Sequence, residues 1–120
     1  MQSILNLTRG DDRDFDFTVV DRTGAAEDIT GWMFWFTVKT SPADPDAAAL
    51  FQLTSAAEQI VVDVAGEGIG RILVRAAHTK SSSPGNYVFD LQCRKGPPGS
   101  PVQTLSRGVL KLSDEVTQAD

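Results

Sequence analysis

The sequence predicts an all-β protein, an immunoglobulin-like antiparallel β-sandwich of about seven to eight strands. Apolar residues recur at every second position over much of its 120 residues, which is the period of a strand with one buried face. Turn formers break that rhythm at short, fairly regular intervals. No segment has the length and spacing of a packed helix, so the pattern reads as a sandwich more readily than as a barrel.

The elements follow in order. Residues 3–8 read as a first strand, with Leu5 and Leu7 on one side and Ile4 and Asn6 on the other. Residues 14–21 form a clearer one, in which Phe15, Phe17 and Val19 alternate with Asp14, Asp16 and Thr18. Asp21-Arg22-Thr23-Gly24 ends it as a turn, because Gly accepts the positive φ of a tight reversal. Residues 32–39 carry Trp32, Phe34, Phe36 and Val38 on one face and Met33, Trp35 and Thr37 on the other.

Pro42, Asp44, Pro45 and Asp46 make residues 40–49 a loop, with a short helical turn expected at the alanines 47–49. A short strand spans 50–53. Strands 59–64 and 69–74 flank Ala65-Gly66-Glu67-Gly68, a hairpin signal. Residues 76–80 are too few for a packed helix, and Ser81-Ser82-Ser83-Pro84-Gly85 is a turn cluster. Residues 86–94 alternate Tyr87, Phe89, Leu91 and Cys93 against Val88, Asp90, Gln92 and Arg94. A Pro- and Gly-rich loop at 95–101 returns the chain into a last strand, 102–112, with a bulge or bend expected at Gly108. One domain over 1–120 is expected, with the polar tail 113–120 fraying.

Bulk composition narrows the function. Hydrophobic residues at 41% and charged residues at 22% are ordinary for a globular chain. A net charge of −5 and a pI near 4.7, with scattered bases, argue against nucleic acid as a partner. No stretch approaches the roughly twenty apolar residues of a membrane span, and the start shows no basic, apolar leader. No membrane partner, anchor or signal peptide is expected, and synthesis in a reducing cytoplasm fits the single cysteine.

The residue types that carry chemistry are sparse. Asp12, Asp14 and Asp16 fall at the first three ligand positions of a calcium loop. Phe17 and Thr23 then stand where such a loop needs its glycine and its bidentate glutamate. Gly66-Glu67-Gly68-Ile69-Gly70 resembles a phosphate cradle, yet a strand follows where a helix is required. His78 is the only histidine; beside turn formers it reads as a loop residue, and no G-x-S-x-G elbow accompanies it. Cys93 shares the phase of Tyr87, Phe89 and Leu91 and reads as a small core residue. One histidine and one cysteine cannot build a zinc site of the usual kind. Asn6-Leu7-Thr8 spells a glycosylation acceptor only. Catalytic, cofactor and metal sites are therefore expected to be absent.

Met33 and Trp35 are the candidate protein-contact surface, since outward Trp and Met at the centre of a sheet are typical anchors. A second layer of the same fold over them is the competing reading.

The order of strands and turns resembles a family of bacteriophage and prophage virion domains, those at the start of baseplate upper proteins and in related tail proteins. The matching residues begin with Leu7-Thr8-Arg9-Gly10-Asp11-Asp12 and Glu27-Asp28-Ile29-Thr30-Gly31-Trp32. They continue through Asp44-Pro45-Asp46, Leu50-Phe51, residues 68–74, His78-Thr79 and Pro84-Gly85-Asn86-Tyr87-Val88-Phe89-Asp90-Leu91-Gln92. They close with Gly108-Val109-Leu110-Lys111-Leu112 and Asp114-Glu115-Val116-Thr117. The resemblance implies a non-catalytic assembly protein of a virion, in a tail, baseplate or fibre, whose partners are other virion proteins. A symmetric homo-oligomer is the expected form. A carbohydrate- or peptide-binding sandwich using Trp32, Trp35 or Tyr87 is the alternative, and an enzyme built on His78 is the third.

Overall fold

The computed structural model describes residues 3–97 and 99–114. They form a β-sandwich of eight strands: β1 (Ser3–Thr8), β2 (Arg13–Thr18), β3 (Met33–Lys39), β4 (Phe51–Thr54), β5 (Ile60–Val64), β6 (Ile69–Val74), β7 (Gly85–Arg94) and β8 (Val102–Ser113). One sheet has five strands in the order β1-β8-β7-β3-β4, and the other has three in the order β2-β6-β5.

The two-residue rhythm sets the layers. Phe34, Phe36 and Val38 of β3 are fully buried, as are Leu53, Cys93 and Leu110 on the neighbouring strands of the larger sheet. Phe15, Ile60, Ile72 and Val74 meet them from the smaller sheet. Phe17 and Phe34 join the two layers at 5.3 Å between ring centroids. Phe36 sits between Phe51 at 6.2 Å and Phe89 at 5.5 Å. Tilted aromatic pairs of this kind add to the area that each ring removes from water.

Each end of the sandwich is plugged. At one end Ile29 enters the core, held by its N–H donating to Ala65 O at 2.9 Å. At the other end stands a single helical turn, α1 (Ala76–Thr79). The sequence left these residues as too few to pack, yet Thr79 is fully buried. The turn and the 10–12 segment hold each other: Asp12 Oδ1 accepts the Ala76 N–H at 2.7 Å, and Thr79 Oγ1 accepts the Gly10 N–H at 3.0 Å. The Asp12 acceptor satisfies one of the first N–H groups that a four-residue helix leaves without a partner.

Other expectations need correction. The sheets are antiparallel except at one place: β1 runs parallel to β8, with Leu5 opposite Leu110 and Leu7 opposite Leu112. The second strand ends at Thr18, because Val19 and Val20 leave the ladder to bridge to Gly68 and Ala26. Gly108 pairs regularly with Phe89. The bulge lies at Leu105, between Thr104, opposite Gln92, and Ser106, opposite Leu91. The hairpin expected at 65–68 does form, β5 pairing antiparallel with β6 through a 3-10 turn closed by Gly68 at φ 68°, and the short helical turn expected at 47–49 is a 3-10 turn at Asp46–Ala48. Of the tail 113–120, Ser113 is the last residue of β8, and the stretch from 115 onward lies outside the described residues.

Candidate functional site

Two faces of the sandwich look outward, and they differ in kind. The smaller sheet presents a charged ladder that satisfies itself. Arg71 bridges Asp63 at 2.9 Å and Asp14 at 3.2 Å, and Arg75 joins Asp14 at 2.9 Å. Exposed pairs of this sort keep a face wet and contribute little each. Asp14 and Asp16 form the solvent side of β2, as their alternation suggests.

The larger sheet is different. Its outward positions on β3 are Met33, Trp35, Thr37 and Lys39, and no second layer of the described residues lies over Met33 and Trp35, which are half-buried among their own sheet neighbours. The register places Trp35 between Gln92 of β7 and Thr54 of β4, and Met33 beside Arg94. Arg94 lies over the indole at 5.4 Å from the ring centroid. Ser55 Oγ donates to Met33 Sδ at 3.9 Å.

Next to this pair the same face opens into a polar cleft of about 590 Å³. Its floor is Thr37, Asp90 and Gln92, with Thr104 and Arg107 of β8 on one side and Pro42 and Asp46 of the 40–49 loop on the other. The loop is tied down by Lys39, whose ammonium donates to Asp44 O and pairs with Asp46, both at 2.8 Å. That hydrogen bond holds the Asp46 carboxyl below the ordinary carboxylate value. Gln52 Nε2 donates to the Thr37 hydroxyl at 2.9 Å, which satisfies the buried threonine.

Asp90 is the unusual group. Burial pushes its carboxyl above the ordinary value, with Lys39 pulling the other way, and its Oδ2 accepts a hydrogen bond from Gln92 Nε2 at 3.2 Å. Arg107 stands directly across from it on β8. Among the described residues neither forms an ion pair, with the other or with anything else.

The remaining sequence candidates resolve into structural roles. His78 lies in α1, not in a loop; its Nδ1 accepts the Arg75 N–H at 2.9 Å and its ring stacks on Phe51 at 5.5 Å. Cys93 is fully buried opposite Phe34, and burial pushes its thiol up. Trp32 packs toward the core beside Phe34, with the Lys95 ammonium 5.0 Å from its ring, and Tyr87 also packs inward. Neither presents a free stacking platform. The glycines of 66–70 answer to close packing: a Cβ at Gly68 would lie 2.5 Å from Val19 O, and one at Gly70 would lie 2.5 Å from Phe17 Cζ. Among the described residues no group of three His, Cys, Asp or Glu is placed to hold a metal, and no helix is long and apolar enough to cross a membrane.

The cleft itself was missed from sequence. Asp90 alternates correctly onto the wet side, but its position opposite Arg107 depends on pairing across the 95–101 loop.

No family model and no curated protein sequence matches the chain. Among solved structures, the N-terminal domain of phage TP901-1 ORF48 is similar in fold, with a TM-score of 0.60 and 13% identity over 92% of this chain and 85% of that one.

Proposed function

We propose that this chain is a non-catalytic structural protein of a phage or prophage virion, working in a tail, baseplate or fibre through protein contacts. The observation that supports it is the fold it shares, over nearly its whole length, with a domain of a phage protein. The outward face of the five-stranded sheet supplies the means, since Met33 and Trp35 lie on β3, beside the edge strand β4, with no layer of the described residues over them. A large, rigid aromatic can lose water to a partner at little entropic cost, and a flexible thioether can adapt its shape to one. The self-paired ladder of Arg71, Asp63, Asp14 and Arg75 makes the opposite face the poorer candidate.

The partners in this reading are other virion proteins, and the chain acts in the assembled particle. Mass spectrometry of purified particles from the source phage or induced prophage should find it in stoichiometric amount. Particles that lack it altogether would overturn the reading.

The alternative, a carbohydrate- or peptide-binding module, draws on Trp35 beside Gln92 and the polar cleft. Arg94 already lies over that indole, which weakens Trp35 as a sugar platform. Glycan binding lost on Trp35→Ala would favour this second reading.

A further inference from the structure

We infer that two copies of this chain pair through the outward faces of their five-stranded sheets, Asp90 of each copy receiving Arg107 of the other. The inference rests on the assembly reading above and adds the partner and the register.

The charge pattern carries it. Several acids and bases of the two sheet faces are paired within the chain: Arg71 with Asp63 and Asp14, Arg75 with Asp14, Lys39 with Asp46. Asp90 and Arg107 are direct cross-strand neighbours of opposite sign and remain unpaired. A half-buried carboxylate, within the field of Lys39 but hydrogen-bonded by one amide, and an exposed guanidinium at the rim of its cleft form no ion pair within the chain.

Their adjacency makes the arrangement self-complementary. A two-fold axis lying in the interface, between β7 and β8 and along them, carries Asp90 of one copy over Arg107 of its partner and the reverse. Packed sheets stand about 10 Å apart, a gap that an arginine side chain crosses to reach a carboxylate on the facing floor. The cleft of about 590 Å³ above Asp90 is open to receive it.

The same operation matches the neighbouring rows in kind. Val88 falls over Val109 and Gln92 over Thr104, because these too are cross-strand partners on β7 and β8. The interface is thus isologous, the commonest way in which soluble chains assemble.

Light scattering on the purified chain tests this. The unaltered chain should have the mass of a dimer. Asp90→Arg alone and Arg107→Asp alone should each weaken association by at least about tenfold, as loss of a desolvated charge pair does. An equimolar mixture of the two single variants should recover the dimer, since each then offers what the other lacks. A pairing confined within one chain would not be rescued by mixing.

A monomeric unaltered chain, single variants that dimerise normally, or a mixture that stays monomeric would each overturn the inference. Should Asp90→Arg fail to fold by circular dichroism, Asp90→Asn and Arg107→Gln serve in its place, each weakening association while the circular dichroism spectrum stays that of the folded chain. A monomer that is nonetheless found in particles defeats the pairing and spares the virion reading. A dimer absent from particles does the opposite.

Discussion

Arg94 lays its guanidinium over the indole of Trp35, 5.4 Å from the ring centroid, from the neighbouring strand β7. The contact covers part of a large apolar ring that no layer of the described residues covers. It also fixes the ring where a partner would meet it, with the Arg94 stem flanking it as apolar surface.

The first prediction concerns three consecutive side chains. Phe34 and Phe36 are fully buried, while Trp35 between them is half-exposed. Phe34→Ala and Phe36→Ala should each cost about 3–5 kcal/mol in a urea titration, as large core truncations do. Trp35→Ala should cost about 1 kcal/mol, although tryptophan is the largest of the three. A Trp35 variant costlier than its neighbours would invert the assignment of faces.

The second prediction separates two nearby glycines. At Gly70 a Cβ would lie 2.5 Å from Phe17 Cζ and 2.7 Å from Val61 O, in the layer between β2 and β5. At Gly66 nothing lies within 4 Å. Gly70→Ala should therefore lose about 1–3 kcal/mol by overpacking. Gly66→Ala should be neutral or gain up to about 1 kcal/mol by restricting the unfolded chain. Thermal melts of the two variants side by side decide it.

How much of this could be read in advance follows from what each feature depends on. The faces of β2, β3 and β7 were legible because burial on alternate residues is local, and Phe15, Phe34 and Tyr87 each stand in phase with their neighbours. The pairing of β1 with β8 was not, since Leu5 meets Leu110 only after the rest of the fold is built. A glycine marks flexibility in a sequence and so points to a bulge at Gly108, whereas the ladder slips at Leu105, where the register demands it. Met33 and Trp35 could be picked out by residue type and phase. Asp90 facing Arg107 needed the register of β7 on β8, which spacing alone does not fix.

The third prediction concerns Cys93. Its thiol is fully buried opposite Phe34, and burial raises its pKa, so the reactive thiolate is scarce. A disulfide reagent should leave Cys93 untouched in the native protein and titrate one thiol on unfolding. Cys93→Ser should cost about 1–3 kcal/mol, because a hydroxyl there finds an apolar surround. Fast labelling of the folded protein would show that the site opens far more readily than its packing implies.

The fourth prediction concerns pH. His78 is half-buried against Phe51, and burial pulls its pKa below 6.5, with the Arg75 charge acting in the same direction and Asp12 against it. The unfolded chain therefore takes up a proton that the folded chain declines, so stability present above about 6.5 is lost as pH falls from there to the folded value. Asp21, Asp28 and Asp46 are held below 3.8 by hydrogen bonds from Thr23, Thr30 and Lys39, and their contribution survives until pH falls below that value. Asp90 has the opposite sign: its raised carboxyl favours the protonated form, so its ionisation costs stability as pH rises from 3.8 through the folded value. Urea titrations across pH should thus show a first loss just below neutrality and a second in the carboxylate range. His78→Gln should abolish the first and keep the second. A first loss that persists in His78→Gln would assign it to another group and remove His78 from the pH response.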